Sequence, residues 1–178
     1  MPTKEKLLIL LKEKKINKNE LKKINENKQK YTSIILKKDI KFNKNIFNLF
    51  SKLSKKYTLA VATNSINDTL DICLDKLKIK KFLKFYIGTD NLNYNKPHPE
   101  IYLRCLVENG FMPSETLIME DSYVGRLAAK ESKCNLMPIK FTDDLNYNKI
   151  VSHINLIDSN KEIIHQNTWD DEDMNILI

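Results

Sequence analysis

The rhythm of apolar and polar positions changes near residue 57. Before it, Leu7, Leu8, Leu10 and Leu11 stand among Lys and Glu, a pattern that predicts helix within residues 4–30. Asn19, with Lys22 and Lys23, marks a turn, and a second helix starts near Glu20. That helix has few apolar positions, Leu21 and Ile24, so it needs a neighbour to hold it. Over residues 31–36 the spacing fits a helix or a short extended piece equally well. Ile46, Phe47, Leu49, Phe50 and Leu53 then share one helical face.

From residue 57 the pattern alternates between short apolar runs and amphipathic stretches. Residues 57–63 form a β-branched, apolar run that stops at Asn64 and Ser65, which predicts a buried parallel strand. Ser65 or Asn67 is placed to cap a helix over 68–77. Residues 85–88 predict a second strand. Lys96-Pro-His-Pro is a stiff loop, Pro99 opens a helix over 100–109, and Gly110 ends it. Residues 116–121 predict a third strand ending in Glu120 and Asp121, followed by a helix to about Glu131. Residues 136–139 and 154–158 predict a fourth and a short fifth strand. Strands and helices alternating at this spacing argue for an α/β sheet with helices on its faces. Residues 170–173 read as an acidic linker, and 174–178 as the start of a further strand.

At 178 residues, 42% hydrophobic and 30% charged, the composition fits one folded domain with room for a small extra element. The longest apolar run, residues 7–11, is too short to span a bilayer, and the N-terminus lacks a secretory pattern. A cytoplasmic location without membrane partners is therefore expected. Cys73, Cys105 and Cys134 form no CxxC pair, and His98, His153 and His165 are scattered, so no metal knuckle is indicated. The chain has three glycines and neither a GxGxxG nor a GxxxxGK[ST] motif, which removes dinucleotide and P-loop readings.

Charge is uneven. Residues 1–56 carry 17 lysines against 5 acidic residues, and the rest of the chain is net acidic. Only Arg104 and Arg126 are arginines, so the forked donors that read bases and phosphates are nearly absent. The basic third reads as solvated surface, and nucleic acid is not expected as a partner.

Ligands of open α/β sheets bind beyond the carboxyl ends of the strands. Here those ends and the loops after them supply Thr63 and Asn64, Lys96, and Glu120 with Asp121. Each has an ordinary explanation alone: a helix cap, a solvated lysine, exposed acids. Together, a hydroxyl, an ammonium and paired carboxylates suit a phosphoryl group and a hard cation such as Mg²⁺.

Leu-Ala-Val-Ala-Thr63-Asn64-Ser, Lys96-Pro-His-Pro-Glu-Ile-Tyr and Leu-Ile-Met-Glu120-Asp121-Ser-Tyr-Val-Gly resemble the second, third and fourth motifs of the haloacid dehalogenase-like superfamily. The branch they are most similar to is that of β-phosphoglucomutase and phosphoglycolate phosphatase. The resemblance implies a Rossmann-like, three-layer α/β core with a parallel sheet over residues 46–165. Part of a helical cap would precede it over 1–45, and a linker opening a further domain would follow over 166–178. Leu156-Ile-Asp-Ser would be the last core strand. The resemblance also implies that Thr63 and Asn64 contact the phosphoryl group, that Lys96 is a catalytic residue stabilising its charge, and that Glu120 and Asp121 ligate Mg²⁺.

The family's first motif, DxDx[TV], is absent. No Asp precedes Asp39, which lies in Lys-Lys-Asp-Ile-Lys without a second Asp two residues on. In the family that motif provides the nucleophile and the general acid/base, on a strand between those ending at Thr63 and Asp121. The expectation is a phosphatase or phosphomutase unit for a small phosphorylated metabolite, inactive as this chain and part of a larger polypeptide. A non-catalytic remnant that binds a phospho-ligand or a partner protein is the alternative. The gap in the sheet would be filled by an upstream strand, by another chain, or by residues 7–11.

Overall fold

Asn17, rather than Asn19, starts the second helix. Its side chain accepts from the Glu20 amide (3.0 Å) while the Glu20 carboxylate accepts from the Asn17 amide (2.7 Å), a closed capping box. The computed structural model describes residues 3–13, 15–90 and 92–160. Its helices are α1 (Thr3–Lys12), α2 (Lys18–Asp39), α3 (Lys44–Leu53), α4 (Asn67–Leu77), α5 (Glu100–Asn109), α6 (Tyr123–Glu131) and α7 (Tyr147–Asn160). Its strands are β1 (Ala60–Ala62), β2 (Phe85–Ile87), β3 (Leu117–Glu120) and β4 (Asn135–Pro138). Among the described residues no helix is long and apolar enough to cross a membrane.

α2 runs unbroken through residues 31–36, which periodicity left open, and lies against α4. It buries no residue. The side it half-buries carries Gln29, Thr32, Ser33 and Leu36, whereas Ile24, Tyr31, Ile34 and Ile35 are exposed. α3 inserts Leu49 and Leu53 into the core and is capped by Asn43, whose side chain accepts from the Asn45 and Ile46 amides.

The strands form two parallel pairs. In one, Ala60, Val61 and Ala62 face Phe85, Tyr86 and Ile87; in the other, residues 117–120 face 135–138 in order. Side chains alternate as a strand requires. Ile87, Ile118 and Leu136 point into a cluster with Ile101, Leu106, Ala128 and Ala129 of α5 and α6. Val61 and Tyr86 turn the other way, toward Leu70 and Leu74 of α4, and Met137 and Ile139 pack on Leu49, Leu53 and Ile150. The result is a three-layer α/β core. Among the described residues no backbone ladder joins β1 to β3; the cluster under α5 and α6 joins the pairs through side chains. Residues 7–11 lie in α1, so they do not fill that gap.

Two expectations are corrected. Residues 154–158, including Leu156-Ile-Asp-Ser, are helical and belong to α7, not to a fifth strand. The five residues read as a short apolar run in isolation, but Tyr147, Ile150, Ile154 and Ile157 recur every three or four residues, and Asn146 accepts from the Asn148 amide to cap the first turn. Nor do Ser65 and Asn67 cap α4 with their side chains. Ile66 occupies the cap position, the Asn67 side chain accepts from the Gly88 amide (2.8 Å), and the Asp90 carboxylate accepts from the Asn67 amide. The cap thus comes from 23 residues downstream, beyond the reach of a local reading. The expected features at 166–178 lie outside the described residues.

Candidate active site

The carboxyl ends of β1 and β3 are bridged by one side chain. Lys96 follows β2 in a loop tied to α5 by the Glu100 carboxylate, which accepts from the Asn93 and Tyr94 amides. The Lys96–Pro97 peptide is cis. Lys96 is buried, and its ammonium donates to the Ala62 carbonyl (3.4 Å) and to Glu120 Oε2 (2.7 Å). It also stands 4.7 Å from the centroid of the Tyr102 ring, whose face favours a cation.

Glu120 is the most heavily bonded side chain of the site. Oε2 accepts from Lys96 and from the Tyr102 hydroxyl (2.5 Å). Oε1 accepts from the Asp121 amide (3.1 Å), the Ser122 amide (2.9 Å) and the Ser122 hydroxyl (2.8 Å). Ser122 in turn caps α6 by accepting from the Gly125 amide. Burial opposes ionisation of Glu120, but the Lys96 charge and hydrogen bond, with those of Tyr102 and Ser122, outweigh it and hold the carboxyl at about 2. Burial, and then the Glu120 carboxylate, push the Tyr102 hydroxyl far above its ordinary value. Asp121 is exposed. Partial desolvation and the neighbouring Glu120 raise its carboxyl.

Thr63 is half-buried one residue past β1. Its amide donates to the Ile87 carbonyl (3.1 Å), and its hydroxyl accepts from the Ser65 amide (3.2 Å). Asn64 is exposed beside it. Gly88 holds this loop close: a Cβ there would lie 2.5 Å from the Ser65 carbonyl oxygen. The structure therefore gathers Lys96 and Glu120 in direct contact at the end of β1, which leads into Thr63, and leaves Asn64 and Asp121 on the solvent side.

Sequence reasoning missed Tyr102, Ser122 and Gly125. Tyr102 stands six residues after Lys96, in the helix Pro99 opens, which turns it back under the lysine. Ser122 and Gly125 carried a capping signal, Ser followed three residues later by a helical amide. Arg126, to which the sequence assigned no role beyond its helix, is buried and donates from Nη1 to the Asp121 carbonyl (2.8 Å).

Mg²⁺ was expected on Glu120 and Asp121. Glu120 already accepts five hydrogen bonds, and among the described residues no group of three His, Cys, Asp or Glu converges. One exposed carboxylate does not make an oxygen cage, so the residues present do not fit a resident Mg²⁺.

The depressed Glu120 carboxyl links stability to pH. A carboxyl held below its ordinary 4.5 contributes fully above that value and loses its contribution as pH falls toward about 2. The loss should amount to roughly 3 kcal/mol at most. Urea denaturation at stepped pH checks this: the wild type should weaken steeply between pH 4.5 and 2, and Glu120→Gln should show a flatter profile from a lower start. Equal slopes would mean that Glu120 is not ionised in the folded chain.

Comparison with known proteins places these features. A family model described as "Haloacid dehalogenase-like hydrolase" matches residues 2–139. Glycerol-1-phosphate phosphohydrolase 1 of Saccharomyces cerevisiae is 32% identical over 95 residues, covering 49% of this chain and 38% of that protein. Phosphoglycolate phosphatase of Salmonella choleraesuis is 31% identical over 91 residues, covering 51% of this chain and 35% of that protein. The crystal structure of β-phosphoglucomutase from Clostridium difficile superposes with a TM-score of 0.72 at 19% identity, over 89% of this chain and 79% of that one, a likeness of fold. The matched stretch thus spans well under half the length of these curated relatives.

Proposed function

Because the chain belongs to the haloacid dehalogenase-like hydrolases, we propose that it carries the phosphate-binding side of a phosphatase or phosphomutase site, and that as this chain it binds a small phosphorylated metabolite without turning it over. The observation that carries the reading is Lys96, a buried ammonium that bridges the ends of β1 and β3 through the Ala62 carbonyl, one residue before Thr63, and the Glu120 carboxylate. A phosphoryl oxygen there would meet a positive charge in a low-dielectric setting, with a hydroxyl donor beside it. Absence of turnover is proposed because, among the described residues, no Asp-x-Asp pair stands at a strand end. Asp39 closes α2 on the surface. The names of the relatives, a glycerol phosphate phosphohydrolase and a phosphoglycolate phosphatase, support a small phosphate ester as the ligand class.

Asp121 is exposed, and the binding proposed needs no metal ion. Titration calorimetry with a sugar phosphate tests both points. The folded chain should bind it, Thr63→Val should weaken binding about tenfold, the loss of a hydrogen bond to a charged group, and Mg²⁺ removal with EDTA should change affinity less than twofold. No heat from a folded sample would overturn the binding claim, and dependence on Mg²⁺ would overturn the reading of the carboxylates.

The alternative, a surface for a partner protein with no phospho-ligand, would show as a folded chain silent to phosphate esters. The buried ammonium bridging the ends of β1 and β3, with the Thr63 hydroxyl one residue past β1, favours the phosphate reading.

A further inference from the structure

A cavity opens one strand away from Lys96 and Glu120. It has a volume of about 720 Å³, within the range that takes small organic molecules. Its floor is Met137 and Pro138 at the carboxyl end of β4, and Pro138 pairs in register with Glu120. Its walls are the turn after β4 and one side of α7. Thr63, Asn64, Lys96, Glu120 and Asp121 do not line it.

The lining is chemically mixed in a directed way. Lys140 and Lys149 bring ammonium groups, Ser152 a hydroxyl, and Phe141 and Leu156 large exposed apolar surfaces. The carboxylate on this wall, Asp144, is already engaged: it accepts from Lys149 Nζ (2.8 Å), the Lys140 amide (3.0 Å) and the Phe141 amide (2.9 Å). An entering anion therefore meets two ammonium groups and a carboxylate whose oxygens point at donors.

His153 supplies the second observation. It lines the cavity yet is only 5% exposed, and its Nε2 has no hydrogen-bond partner among the described residues. Its ring bonds to the backbone of Leu136 on the outer edge of β4. Burial lowers its pKa against that bond and so favours the neutral imidazole. A buried polar nitrogen left unpaired is costly, and it is the kind of group a ligand satisfies.

We propose that this cavity is a binding site for a small organic anion. Its acidic group pairs with Lys140 and Lys149, its apolar body lies on Phe141 and Leu156, and a polar group reaches His153. The site is separate from the one that holds the phosphoryl group at Thr63 and Lys96, and it stands whether or not that reading does.

Phosphate esters and carboxylates share this chemistry, so two probes separate them: phenyl phosphate and benzoate. Each is titrated into the full chain labelled with ¹⁵N-histidine, and the imidazole signals of His98, His153 and His165 are followed separately. The His153 signals should shift saturably with at least one probe. Lys140→Glu, an exposed position, should weaken that response at least tenfold, and Ser152→Phe, which fills the cavity from an exposed helical position, should abolish it. Thr63→Val should leave the His153 response unchanged. A response to one probe alone identifies the ester or the carboxylate as the ligand class. A folded wild type whose His153 signals ignore both probes, or a response undiminished in Ser152→Phe, overturns the site.

Discussion

Lys96→Met is expected to cost about 3–5 kcal/mol of folding stability, the largest effect of any single change in the site. The lysine neutralises a carboxylate that is only 8% exposed. Removing the ammonium leaves that charge buried with only the hydrogen bonds of Tyr102, Asp121 and Ser122 to hold it. In a chain of this size the loss corresponds to a fall in melting temperature of about 10 °C. Adding Glu120→Gln to Lys96→Met removes the stranded charge and should recover at least half of the loss. A double-mutant cycle by urea denaturation measures the coupling directly. If the double variant is no more stable than Lys96→Met, the pair is not the electrostatic centre of the site.

Gly125→Ala is the second. Within a helix this exchange normally stabilises by up to about 1 kcal/mol. Here a Cβ at residue 125 would lie 2.1 Å from the Glu120 side-chain carbon Cδ and within 2.4 Å of both its oxygens. Glu120 cannot yield without breaking its bonds to Lys96, Tyr102 and Ser122, so we expect a net loss of about 2–3 kcal/mol from overpacking. Phosphate-ester affinity should fall with it, because displacement of Glu120 releases Lys96 from its place between β1 and β3. Thermal denaturation and calorimetry of the variant read the two effects separately. A stabilised variant would mean that α6 and β3 are not packed as described.

These two changes also show where the sequence was informative and where it was not. The strand ends were legible because an apolar run that stops at a polar residue is a local signal: Thr63 and Glu120 were placed that way, and Lys96 by its stiff proline loop. Most helices were legible from spacing, apart from the boundary at Asn17, the stretch 31–36, the cap of α4 and the whole of α7. What could not be read was contact between residues far apart in the chain. Lys96 and Glu120 meet across 24 residues, and Tyr102 and Glu120 across 18. Without that contact Glu120 reads as an open carboxylate awaiting a cation, whereas its oxygens are already taken. The run at 154–158 failed for a related reason. Five apolar-rich residues carry no period of their own, and only the whole of α7, with Asn146 capping it, decides the matter.

The gap between β1 and β3 gives the account its sharpest consequence. Side chains, not a backbone ladder, hold the two strand pairs together among the described residues, and Lys96 spans their ends. On the proposed reading a phosphoryl group would meet a cation and a hydroxyl, and among the described residues no Asp-x-Asp pair stands at a strand end to attack it. Hydrolysis of p-nitrophenyl phosphate by the purified 178-residue chain, shown by circular dichroism to be folded, tests this most directly. With and without Mg²⁺ the account predicts a rate equal to that of buffer, for the wild type and for Asp121→Ala alike. A rate above buffer that Asp121→Ala abolishes would contradict it, because a working nucleophile would then be present in the site.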